Sequence, residues 1–150
     1  MGRRLTFLLG VLALSVGLFF AWELWVKKPY ISFLGAVAGF FLRGGSAGSP
    51  VVPVSVSNVV PFLALMLATP GMSAARRLKS TLVGMAIFLV LHLGAVFFYT
   101  YWMTHPYPSA AAMLGSLLMS AVQVALPFVV WFVFARTEIR TLAFGGKSRE

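Results

Sequence analysis

The chain has 150 residues, of which 60% are hydrophobic and 10% charged, and a formal charge of +9. Soluble domains carry roughly 25% charged residues; a water-facing fold could not cover this much apolar surface, so the solvent is largely lipid. The basic residues cluster at the ends of apolar runs, which points to topology and headgroup contacts and away from nucleic acid.

The first apolar run extends from Leu5 to Val26 and is long enough to cross a bilayer, which takes about 20 residues. Its length, and the sequence Trp22-Glu23-Leu24-Trp25 at its end, suit a retained helix better than a cleaved signal peptide. Glu23 lies ~27 Å along that helix from Leu5. It is expected at the far interface, in an aromatic belt and paired with Lys27 one turn on.

Residues 30–43, YISFLGAVAGFFLR, form a run too short to span. They predict a separate interfacial or re-entrant helix. Tyr30, Phe33, Leu34, Val37, Phe40 and Phe41 share one face and would meet lipid, while the small residues opposite would meet the bundle. Gly44 to Pro50 then reads as a flexible turn.

A second span is expected over 51–69. Its first half is polar and holds Pro53, Ser55, Ser57, Asn58 and Pro61. Asn58 is expected to cap the helix, with Pro61 inside the first turn. Thr69-Pro70-Gly71 ends it. A basic loop follows with Arg76, Arg77 and Lys79, residues suited to setting topology and to gripping anionic lipid headgroups.

The third span is expected over 82–102, with His92 near mid-membrane, and the fourth over 110–134, with Gln123 at similar depth. Gly115, Ser116 and Ser120 permit close helix approach, and Pro127 is a candidate kink. The basic tail after Phe134 is expected to fray.

Nine of the 12 Lys and Arg residues (Arg3, Arg4, Arg76, Arg77, Lys79, Arg136, Arg140, Lys147, Arg149) fall on one side of this layout. Lys27, Lys28 and Arg43 fall on the other. The positive-inside rule then places both termini in the cytoplasm. The expected fold is all-α: a single integral membrane domain of four transmembrane helices plus one short interfacial or re-entrant helix, in a bacterial inner membrane.

Three intramembrane polar residues are candidates for a site: His92, Gln123 and Asn58. A His92–Gln123 hydrogen bond between adjacent spans would satisfy both side chains. A proton relay would want a carboxylate beside His92, yet the chain contains no Asp, and the helical count puts Glu23 at another depth. His92 and His105 are the only histidines, no cysteine occurs, and no glycine-rich phosphate loop appears. No metal site, cofactor or catalytic residue is therefore expected.

The stretches NVVPFLALMLATPG, ARRLKS and ALPFVVWFVFAR, together with AWELW and the PYISFLGAVAGFFLR segment, cover about half of the chain. In this order they resemble the small membrane proteins that accompany exosortases and archaeosortases. The resemblance implies an accessory protein in a protein-sorting or envelope-export system. Exosortases use a catalytic cysteine with arginine and histidine; without cysteine, their transpeptidase activity does not carry over.

The expected function is thus a non-enzymatic accessory or assembly subunit, in contact with membrane lipid and a larger membrane protein or further copies of itself. The alternative is a small homo-oligomeric channel or transporter subunit with a polar path at His92, Gln123 and Asn58. An enzyme built on His92 with Arg76 or Arg77 ranks last, because the arginines are expected at the inner surface, about 15 Å from His92.

Overall fold

The computed structural model describes residues 2–42, 54–104 and 109–144. Every regular element among them is helical, and no strand occurs among them. Helix α1 is Gly2–Ala21 and continues through a wide π turn, Trp22–Val26, into α2, Lys27–Leu42. A 3-10 turn over Val54–Asn58 leads into α3, Val59–Ala68, followed by α4, Ala74–Thr104, and α5, Ser109–Phe144. Expectations for 43–53, 105–108 and 145–150 lie outside the described residues.

Three helical runs are long and apolar enough to cross a membrane: Leu5–Phe41, Ala74–Thr100 and Met113–Arg140. The run Val56–Ala68 is shorter. Three expectations need correction here. The first span and the separate helix over 30–43 are one continuous run, the tail is helical through Phe144 rather than frayed, and the basic stretch with Arg76, Arg77 and Lys79, expected as a loop, is the first turns of α4.

The physical reason for the first correction is Pro29. Its ring carries no N–H and crowds the carbonyl four residues earlier, that of Trp25. A break could relieve this, but the chain instead widens by one residue per turn. The Lys27 amide reaches back to the Trp22 carbonyl, a five-residue step. Apolar helix formers on both sides then keep the run intact.

Directions follow from the contacts. Glu23 meets Ser57, and Phe7 stacks on Trp131 with ring centroids 6.1 Å apart, so α3 and α5 both run opposite to α1. Tyr30 meets His92, and Phe41 meets Phe97, so α2 and α4 run the same way. Both described ends therefore lie at one end of the bundle, with Arg76 and Glu138.

Helix α3 is the packing centre. Val59, Phe62, Ala64 and Met66 are wholly buried there. Phe62 meets Phe88 with ring centroids 5.3 Å apart. The tip of its ring also faces Gly84, where a Cβ would fall 2.2 Å from it. Glycine is thus required at 84 for close approach. Gly71, at φ +79°, turns the chain after α3, a conformation that other residues rarely adopt. Ser73 opens α4: its hydroxyl accepts from the Arg76 amide at 3.4 Å.

The long helices are mostly uncovered. Within their most apolar windows, 6% of the first, 28% of the second and 17% of the third run is buried. Such surfaces suit lipid or neighbouring membrane helices.

Candidate functional site: a polar layer across the bundle

The intramembrane polar residues meet in one layer where the 3-10 turn crosses α1, α2, α4 and α5. His92 is 2% exposed. Its Nδ1 lies 2.8 Å from the Tyr30 hydroxyl and its Nε2 lies 3.0 Å from Asn58 Oδ1. Asn58 Nδ2 donates to the backbone carbonyl of Gln123 at 3.4 Å.

This set of bonds orients itself. A carbonyl can only accept, so Asn58 presents its NH₂ to Gln123 and its oxygen to His92. His92 Nε2 must then carry the hydrogen it donates. In that tautomer Nδ1 is the acceptor, and the Tyr30 hydroxyl donates to it. The rings of Tyr30 and Phe88 flank the imidazole, with centroids at 5.7 and 6.0 Å.

Pro127 explains why Gln123 needs Asn58. It lies inside α5 and cannot donate to the carbonyl four residues back, which is that of Gln123. Asn58 supplies the missing donor. The expected role of Asn58 as a helix cap is corrected: it occupies the N-cap position with helical angles and makes no side-chain cap bond. Its side chain is committed to His92 and to the Gln123 carbonyl.

The expected His92–Gln123 side-chain bond does not form. The two residues are linked only through Asn58 and the Gln123 backbone. The Gln123 side chain, 7% exposed, instead lines a groove of about 350 Å³ between α3 and α5. Ser57, Asn58 and Pro61 form one side of the groove, and Ser120, Val124, Pro127 and Phe128 the other.

Glu23 also belongs to this neighbourhood. Its carboxylate accepts from Lys27 Nζ at 2.7 and 3.1 Å, so the expected pair is present. It accepts in addition from Ser57 at 2.8 Å, one residue before Asn58. The inference that Glu23 stands at the wrong depth therefore fails. Helical rise measured along α1 alone missed that the 3-10 turn brings Ser57 up to it. Tyr30 was missed as a site residue because its face was assigned to lipid; the inward stripe is Tyr30, Leu34 and Ala38, with the latter two wholly buried. Phe33, Phe40 and Phe41 do face outward. The spacing of Tyr30, Leu34 and Ala38, one turn apart, was the available signal. The Trp22 indole N–H, beside Tyr30, is buried without a hydrogen-bond partner.

The basic residues Arg76, Arg77 and Lys79 lie at the other end of α3. Arg76 binds Glu138 at 2.6 Å and the Phe134 carbonyl at 3.1 Å, tying α4 to α5. Arg77 donates to the Thr69 carbonyl at 2.7 Å. The Thr69 hydroxyl donates to the Leu65 carbonyl at 2.6 Å and accepts from the Trp131 indole at 2.9 Å. Arg77 thus satisfies a carbonyl at the end of α3, and Arg76 reaches one inside α5. Lys79 is exposed.

Chemically, the layer holds helices together. Each His92 nitrogen is already engaged, and His92 does not line the groove. Among the described residues no group of three or more His, Cys, Asp or Glu could hold a metal ion. No protein-family model, no curated protein and no solved structure matches this chain.

Proposed function

We propose that the chain is a small non-enzymatic subunit of a bacterial inner membrane that packs against a larger membrane protein. Within this reading α3, which reverses direction between α2 and α4, counts as the fourth crossing, and both termini are cytoplasmic. The resemblance to exosortase-associated proteins names the setting: a protein-sorting or envelope-export system. The observation that carries the proposal is the deployment of the polar side chains. His92 bonds both Tyr30 and Asn58, while the outer faces of α1 and α5 stay apolar and uncovered. In lipid, an uncovered face gains little from water exclusion, so association rests on close packing and a few polar contacts. The upper part of α5 offers both: Ser116 and Ser120 are exposed, with hydroxyls turned back onto the carbonyls of Met113 and Ser116.

Photocrosslinking residues placed at Ser116 and Ser120 test this in native membranes. The expected product is a defined integral membrane protein in stoichiometric yield, also recovered by mild-detergent pull-down of the tagged chain. Capture of lipid alone removes the proposal.

A channel or transporter subunit is the second reading, favoured by one observation: Glu23, through Ser57, brings a carboxylate next to the Asn58–His92 pair. It requires proteoliposome flux that His92→Ala alters, and a homo-oligomer as the purified species.

A further inference from the structure

We propose that Lys28 docks a transmembrane helix of a second, different membrane protein, one that carries an Asp or Glu near mid-membrane depth. That protein is the larger partner of the subunit reading, on which this inference rests.

The Lys28 side chain is exposed and makes no hydrogen bond or ion pair among the described residues. Its neighbour Lys27 is the cation that Glu23 holds, at 2.7 Å. Glu23, Lys27 and Lys28 are the only charges in the apolar run Leu5–Phe41. The inward stripe of α2 is Tyr30, Leu34 and Ala38. Lys28, Ser32 and Ala36, also one turn apart, lie on the opposite face and are exposed. Leu24 and Trp25, one turn before Lys28, are 69% and 74% exposed. An unpaired cation thus stands on an apolar outer surface.

Depth decides what can meet it. Tyr30 bonds His92, which stands thirteen residues from Lys79 and ten from Trp102. Those intervals are ~20 and ~15 Å of helix, and Lys28 lies ~3 Å from Tyr30 on the Lys79 side. Phe41 still meets Phe97, five residues short of Trp102, so α2 stays beside the apolar run of α4 throughout. Lys28 is therefore near the middle of the bilayer. A lysine stem reaches about 6 Å, too short to carry the ammonium to either surface.

A cation held in hydrocarbon calls for a counter-charge. Phospholipid headgroups stay at the surface and do not reach this depth. A second copy has no carboxylate to offer. Of the chain's three acids, Glu23 is engaged by Lys27 and Ser57, Glu138 lies at the Arg76 end of the bundle, and Glu150 follows the basic tail. The remaining source is an acid on another protein's membrane helix. The small side chains of Ser32 and Ala36 let that helix come close.

The test uses the tagged full-length chain in native membranes. A membrane-permeant carbodiimide joins a carboxyl to an amine without a spacer. It is expected to link Lys28 to an Asp or Glu inside an apolar segment, about 20 residues long, of another protein, read by mass spectrometry of the joined peptides. Lys28→Met should lower recovery of that protein in mild-detergent pull-down roughly tenfold or more, and Lys28→Arg should retain most of it. The isolated Lys28→Met chain should unfold no more easily than the parent, because Lys28 has no partner within the chain; a purely structural lysine would not lose the partner and keep its stability. Undiminished recovery with Lys28→Met, or a Lys28 link only to Glu23 or to lipid, overturns the proposal. Photocrosslinking from Ser116 and Ser120, run beside it, tells the two failures apart. Protein capture there with undiminished recovery in Lys28→Met removes the Lys28 contact alone, whereas capture of lipid alone removes the subunit reading and this docking site with it.

Discussion

Asn58 donates to the Gln123 carbonyl that Pro127 leaves without a helical donor, and the same side chain accepts from His92. One residue at the start of α3 therefore repairs a proline defect in α5 and anchors the only described histidine in α4. Replacing it by leucine removes both bonds. Interhelical hydrogen bonds in membranes are worth about 0.6–2 kcal/mol each. Asn58→Leu is expected to lower stability by ~1–3 kcal/mol in reversible unfolding from mixed micelles. Asn58→Leu combined with Pro127→Ala, which restores the α5 donor, should recover part of that loss. Equal losses in the single and double variants would show that the Gln123 carbonyl was not the cause.

His92 and Tyr30 should be coupled. Tyr30→Phe deletes only the hydroxyl that lies 2.8 Å from Nδ1. In a double-mutant cycle with His92→Ala, the interaction energy is expected at ~0.5–2 kcal/mol. Independent effects would mean that the contact contributes nothing to holding α2 on α4.

Gly84 is the steric test of the α3–α4 contact. Gly84→Ala places a Cβ 2.2 Å from the buried Phe62 ring, so the ring or a helix must move. Overpacking of this kind costs about 1–3 kcal/mol. Gly84→Ala with Phe62→Leu should be more stable than the sum of the two single effects predicts, because the smaller side chain vacates the space. By contrast, Gly94→Ala meets nothing within 4 Å and should be near neutral.

The Arg76–Glu138 bridge should respond to salt and to truncation differently. Arg76 is about half exposed (45%), whereas Glu138 is 8% exposed at its side chain. Screening and side-chain entropy leave the exposed partner worth ~1 kcal/mol. Arg76→Ala should therefore loosen the α4–α5 end modestly, read as faster hydrogen exchange at the start of α4. Loss of activity or assembly without that local opening would instead favour a headgroup contact by Arg76.

What the sequence determined by itself is the class of solvent and the helical character. Runs such as Leu5–Val26 and Leu82–Trp102 can satisfy their backbone in lipid only as helices, and basic residues flank both ends of the first and the start of the second. These properties follow from composition and one-dimensional spacing. The polar candidates His92, Gln123 and Asn58 were also legible, because a polar side chain in an apolar run is conspicuous anywhere.

The tertiary structure alone decided how those residues pair. Rise per residue assigns a depth along a straight helix, but it does not give the facing of one helix toward another. It therefore paired His92 with Gln123, when Asn58 and Tyr30 had the right rotation. Spacing alone ended one run at Val26 and began another at Tyr30, leaving Pro29 between them. Neighbouring apolar turns instead absorbed it as a π turn, which carried Tyr30, Leu34 and Ala38 onto the inside of the bundle. Asn58 looked like a cap, yet the unmet demands of His92 and of the carbonyl freed by Pro127, two unsatisfied groups in a medium without water, outweighed the single amide that capping would have satisfied, that of Val60, since Pro61 has no N–H.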